Sequence, residues 1–126
     1  MMQRNKTIGA KFIISVWTIS IIVVIYLSLI PRVEFLVEFW GADKVYHLIA
    51  YGWLGFLPTI GFEKRSTGII AALSIILLGI GLEWAQKFVV GRMFSFTDMI
   101  ANTLGVVLGI ISGRLLLSRF KAAVPR

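Results

Sequence analysis

Residues 95–117 read SFTDMIANTLGVVLGIISGRLLL, and this stretch decides the fold. From Met99 to Leu117 the only strongly polar side chains are Asn102 and Arg114. A helix that crosses about 30 Å of hydrocarbon needs roughly 20 mostly apolar residues, which this segment supplies. Gly105, Gly109 and Gly113 recur every four positions and so share one helix face. Small residues at that spacing let neighbouring backbones approach closely. Asp98 and Asn102 continue the same stripe toward the helix start. The segment therefore predicts a membrane span with a close-packing face that turns polar at one end.

Three more segments have the same character. Phe12–Ile30 carries no charge and is ended by Pro31 and Arg32. A second runs from about Val45 to Phe62 with one histidine and one proline, and a third from Gly68 to about Val90, interrupted by Glu83. The expectation is an all-α polytopic membrane protein, a single domain over residues 1–126, with four transmembrane helices near 12–30, 45–62, 68–90 and 99–117. Backbone groups in lipid must be satisfied within each segment, and the apolar/polar alternation of barrel strands is absent. The first span is longer than a signal-peptide core and lacks a small-residue cleavage pattern after it, so it reads as a retained helix. Composition agrees. The 126 residues are 58% hydrophobic and 15% charged, whereas soluble domains carry about 25% charged residues. Mean hydropathy is +0.89. The absence of cysteine excludes disulfides, thiolate metal sites and cysteine nucleophiles.

The 13 basic residues against 6 acidic ones are unevenly placed. Arg4, Lys6, Lys11, Lys64, Arg65, Arg114, Arg119, Lys121 and Arg126 fall on one side of the four spans. Arg32, Lys44, Lys87 and Arg92 fall on the other, among Glu34, Glu38, Asp43, Glu83 and Asp98. The positive-inside bias then puts both termini in the cytoplasm. Because the basic residues are divided between two membrane faces, they do not form a nucleic-acid surface. The two outer connections are aromatic. Pro31–Ala42 holds Phe35, Phe39 and Trp40 and could form an interfacial amphipathic helix; Lys87–Thr97 holds Phe88, Phe94 and Phe96. An aromatic belt is the plain reading of both.

The polar residues fall on helix-facing stripes. Asp43, His47 and Tyr51 are four apart, with Lys44 adjacent; Glu83 and Gln86 share a face with Gly79; Asp98 and Asn102 share one with the glycines. All three stripes put their polar ends at the outer leaflet. Arg92 can reach back over Glu83 and Asp98 from its connection. Plain structural roles are also open: a Ser95–Asp98 capping box, and a Glu83–Arg92 ion pair. Ionisable groups inside spans are nonetheless functional candidates by default.

The pattern Asp43-Lys44-x-x-His47-x-x-x-Tyr51, Glu83-x-x-Gln86, Arg92-x-x-Ser95-x-x-Asp98-x-x-x-Asn102-x-x-Gly105 resembles the VanZ-like family. Its members are small bacterial membrane proteins related to a teicoplanin-resistance protein. The resemblance covers about Asp43 to Gly109. It implies a multi-pass protein of the bacterial cytoplasmic (inner) membrane with an envelope or antibiotic-response role, and marks the polar cluster as the family's site. The leading expectation is a non-enzymatic pocket of Asp43, Lys44, His47, Tyr51, Glu83, Gln86, Arg92, Ser95, Asp98 and Asn102. It would bind an anionic headgroup from a membrane lipid, a lipid-linked cell-wall precursor or a lipoglycopeptide. Arg92 and Lys44 would hold phosphate or carboxylate. An alternative is an intramembrane hydrolase or transferase with His47 as base, oriented by Asp98 or Glu83. A third is a structural partner of another membrane protein, docking through Gly105, Gly109 and Gly113. No cofactor is implied. Zinc is disfavoured by a single histidine, leaving Mg²⁺ or Ca²⁺ at Asp43, Glu83 and Asp98 as the metal option.

Overall fold

The computed structural model describes residues 2–31 and 41–123, with side chains from residue 6 onward. Four helices make up this part of the chain: α1 (Met2–Leu29), α2 (Ala42–Gly61), α3 (Arg65–Ala85) and α4 (Phe96–Ala123). A single 3-10 turn, Gln86–Phe88, follows α3. No strand occurs among the described residues. The interfacial helix expected around Glu34, Phe35, Glu38, Phe39 and Trp40 lies outside the described residues.

Among the described residues three helical stretches are long and apolar enough to cross a membrane: Lys6–Leu29, Arg65–Phe88 and Phe96–Ala123. The helices of the first and last run well past the apolar windows read from sequence, because a helix need not stop where hydrocarbon does. The fourth expected span is α2. Its 20 residues reach about 30 Å, but Asp43, Lys44, His47 and Pro58 make it less apolar than the others. Packing explains the difference. α2 touches all three other helices, and Tyr51, Leu54, Gly55, Leu57, Pro58, Thr59 and Gly61 are buried there. A helix enclosed by protein can carry polar and small residues that a lipid-facing helix cannot. Only Val45, Ile49 and Trp53, spaced by four, form an exposed apolar stripe along its first three turns.

The neighbours fix the topology. Gly61 lies against Ile13 while Trp53 Nε1 donates to Ser20 Oγ at 3.1 Å, so α1 and α2 are antiparallel. Gly68 lies over Pro58 and Gly79 against Tyr51, so α3 is antiparallel to α2 as well. Gly105 faces Leu48 and Gly113 faces Thr59, which makes α4 parallel to α2. The result is an up-down-up-down bundle.

Two local features hold α2 in place. Pro58 has no N–H, so the carbonyl of Leu54 loses the donor that an unbroken helix would give it. In lipid such a carbonyl needs another partner. Trp17 Nε1, from α1, donates to it at 2.9 Å. The second is the glycine seam. Gly52 and Gly55 of α2 oppose Gly105, Val106 and Gly109 of α4, and a Cβ on Gly109 would fall on the Gly52 carbonyl oxygen. The stripe on α4 therefore packs inward. It is covered by α2 and is not a free docking surface, contrary to the partner reading that relied on it. Leu54, Ala72, Ile75, Val106 and Tyr51 form the buried apolar core beside it.

Candidate functional site

The topology brings one end of each helix together: the C-terminal ends of α1 and α3 and the N-terminal ends of α2 and α4. Apart from Thr59, whose hydroxyl donates to the Gly55 carbonyl, every buried polar or charged residue described lies here: Glu83, Gln86, Asp98 and Asn102.

Asp98 is the centre. It occupies the third position of α4, where a carboxylate suits the helix dipole. Ser95 caps this helix, its hydroxyl accepting the Asp98 N–H at 3.2 Å and meeting Thr97 Oγ1 at 3.0 Å. In a complete capping box the Asp98 carboxylate would reach back to the Ser95 N–H. Glu83 Oε2, from α3, takes that hydrogen at 3.1 Å instead. The exchange straps α3 to α4 and frees the Asp98 carboxylate to face α2. There it meets Lys44 Nζ at 3.4 Å and His47 Nε2 at 3.8 Å.

His47 is fixed from both sides. Its Nδ1 lies 2.8 Å from Asn102 Oδ1, one turn deeper along α4. With the amide oxygen as acceptor, Nδ1 is the donor of this bond, and Nε2 faces the Asp98 carboxylate. The Tyr51 ring stacks near it, centroids 6.3 Å apart. Lys44 also bridges to Asp43 Oδ2 at 3.1 Å. Asp43 itself is exposed and shares the Lys44 ammonium with Asp98.

Two expected members of the pocket are engaged elsewhere. The Arg92 guanidinium donates from Nη2 to the Leu27 carbonyl at 2.7 Å and from Nε to the Ile30 carbonyl at 3.2 Å. It caps the C-terminal end of α1, and no ion pair with Glu83 is present among the described residues. Gln86 Nε2 donates to the Ser28 carbonyl at 3.1 Å, tying α3 to the same end. Backbone acceptors leave no side-chain signature, so nothing in the residue pattern pointed to them. In the aromatic connection Phe88 and Phe96 are exposed, and Lys87 Nζ sits 4.8 Å over the Phe94 ring.

The potential ligands that do converge are His47, Glu83 and Asp98, which offer one donor atom each within 4.8 Å of one another. This replaces the expected Asp43, Glu83 and Asp98 set with one that includes imidazole. Two buried atoms in the cluster make no hydrogen bond, Asp98 Oδ1, which has the Lys44 ammonium at 3.4 Å, and Asn102 Nδ2, which has nothing.

The family model described as VanZ/LLP1 matches residues 3–117, nearly the whole bundle. The chain belongs to the VanZ/LLP1 family. The match takes in α1 as well as the polar motifs. A curated relative, an uncharacterized protein of Schizosaccharomyces pombe, is 26% identical over 108 residues, covering 80% of this chain. The match takes up 62% of that relative's length. No solved structure matches the chain.

Proposed function

We propose that this VanZ/LLP1 protein is a four-span membrane protein that takes the polar headgroup of a lipid, or of a lipid-linked envelope precursor, into the cluster at the outer-leaflet end of its bundle. The observation that carries the reading is Asn102 Nδ2, buried without a hydrogen-bond partner beside Asp98 Oδ1, whose one contact is the Lys44 ammonium at 3.4 Å. A buried polar group without a partner costs about 1–3 kcal/mol, and natural interiors hold few of them. Asp98 Oδ1 accepts and Asn102 Nδ2 donates, one helical turn apart, which suits the hydroxyl or amide of a headgroup. Lys44, half-exposed above them, is the cation positioned for its phosphate. Arg92 is spent on α1 and serves the site as a brace. The likeness to a Schizosaccharomyces pombe chain weighs toward a headgroup that is not peculiar to bacteria, and within bacteria the family points to an envelope or glycopeptide-resistance role.

The test is lipid retention. Full-length protein in nanodiscs of phosphatidylcholine doped with phosphatidylglycerol is extracted into mild detergent and its retained lipid is read by native mass spectrometry. Wild type should keep the anionic lipid, and Lys44→Gln combined with Asn102→Leu should lose it at least about tenfold, the scale of 1.4 kcal/mol or more. Equal retention by the variant would sink the reading.

Orientation is checked separately. Ser66, in the first turn of α3, and Met93, in the α3–α4 connection, are exposed at opposite ends of the bundle. The native chain has no cysteine, so Ser66→Cys and Met93→Cys can each be labelled cleanly in whole cells. An impermeant thiol reagent should reach Met93→Cys alone. Labelling of both from outside would overturn the cytoplasmic placement of the termini.

A further inference from the structure

We propose that His47, Glu83 and Asp98 hold a divalent transition-metal ion of the zinc or manganese class, with Asn102 and the Ser95 N–H orienting its ligands. The inference goes beyond the headgroup reading and does not depend on it.

The first argument is geometric. One donor atom from each residue lies within 4.8 Å of the other two, and His47 Nε2 is 3.8 Å from Asp98 Oδ2. Ligands at about 2.0–2.2 Å from a common ion stand roughly 3–4 Å apart, so small side-chain rotations close the set. The three come from α2, α3 and α4, which are locked by the glycine seam and by the Glu83–Ser95 strap.

The second argument lies in how the ligands are supported. A metal-bound histidine almost always donates its other ring N–H to an oxygen acceptor, which fixes the tautomer and aims the lone pair. Asn102 Oδ1 does this for His47 at 2.8 Å. Ser95 N–H holds one oxygen of Glu83, leaving the other for the ion. Asn102 is only 2% exposed and its Nδ2 has no partner, while buried Asp98 Oδ1 is met only by the Lys44 ammonium at 3.4 Å. Two carboxylates, Glu83 of α3 and Asp98 of α4, meet here with a single half-exposed ammonium, Lys44, against Asp98, and Arg92 adds no second cation.

The donor set narrows the ion. Mg²⁺ and Ca²⁺ prefer oxygen throughout, whereas imidazole suits Zn²⁺ and its first-row neighbours. Three protein ligands leave coordination positions open, as in sites that bind water or an exchangeable oxygen. Lys44 Nζ, 3.4 Å from Asp98 Oδ1 on the exposed first turn of α2, competes for the same charge.

The experiment uses the untagged full-length chain in detergent, stripped with chelator and titrated calorimetrically with ZnCl₂, MnCl₂ and MgCl₂. One equivalent of Zn²⁺ or Mn²⁺ should bind, with Mg²⁺ at least tenfold weaker. His47→Ala and Glu83→Gln should abolish saturable binding, and Asn102→Ala should weaken it by about 10–100-fold. Absence of saturable binding to wild type, equal preference for Mg²⁺, or unchanged binding in His47→Ala would overturn the proposal. Where site variants fail to fold, Lys44→Met decides: removal of the competing ammonium should tighten Zn²⁺ several-fold, and unchanged or weaker affinity counts against the site. Lipid retention by the metal-free protein is measured independently, so failure of one reading is not failure of the other.

Discussion

Gly109→Leu should lower the thermal midpoint of the detergent-solubilised protein by roughly 10–20 °C, if folded protein is recovered at all. A Cβ at this position would fall on the Gly52 carbonyl oxygen and stand 2.7 Å from the Phe56 nitrogen. Both obstacles are backbone, so no rotamer change relieves them, and α2 and α4 must separate along their length. Overpacking of a core commonly costs about 1–3 kcal/mol where side chains can yield; here they cannot. Gly81 is the control, because a Cβ there meets nothing within 4 Å and the residue is exposed. Gly81→Leu should stay within a few degrees of wild type, measured in the same detergent by intrinsic fluorescence. Equal midpoints for the two variants would mean that the seam does not hold the bundle together.

Glu83 gives the second large effect, and it separates a strap from a charge. Glu83→Leu removes the acceptor of the Ser95 N–H and leaves a half-buried donor unpaired at the start of α4. Hydrogen bonds to charged groups contribute about 1.5–3 kcal/mol, so a loss of that order is expected in chelator-treated protein. Glu83→Gln keeps a carbonyl oxygen in place and should retain most of the stability while changing the charge of the cluster. If Gln is as damaging as Leu, the negative charge and not the hydrogen bond supports the fold. If Leu is harmless, the strap between α3 and α4 has no energetic weight.

The parts legible in sequence were those governed by periodicity or by lipid. α1, α3 and α4 announce themselves because a helix in hydrocarbon must be apolar almost all round. Gly105, Gly109 and Gly113 announce a packing face because nothing else explains three small residues at i, i+4 and i+8 in a span. The convergence of His47, Glu83 and Asp98 could be expected from three stripes ending at one leaflet. What could not be read were contacts in which one partner is the main chain. Arg92 looked like the counter-ion of Glu83, since attraction between charges is the obvious guess; the carbonyls of Leu27 and Ile30 take it instead. The pairing of Trp17 with the Leu54 carbonyl is legible only in retrospect, because Pro58 frees that oxygen and its donor is 37 positions away. The Ser95–Asp98 cap was visible, but not that Glu83 completes it from another helix.

The brace on α1 has a consequence for how such chains diverge. Arg92 and Gln86 read the carbonyls of Leu27, Ser28 and Ile30, not their side chains. Any residue that keeps α1 helical and lipid-compatible presents the same oxygens to the same donors. Substitutions at 27, 28 and 30 should therefore accumulate freely, while positions 86 and 92 bear the selection for an attachment whose other half is anonymous. Mutational scanning of the two segments would show that asymmetry as a tolerant helix facing two intolerant residues.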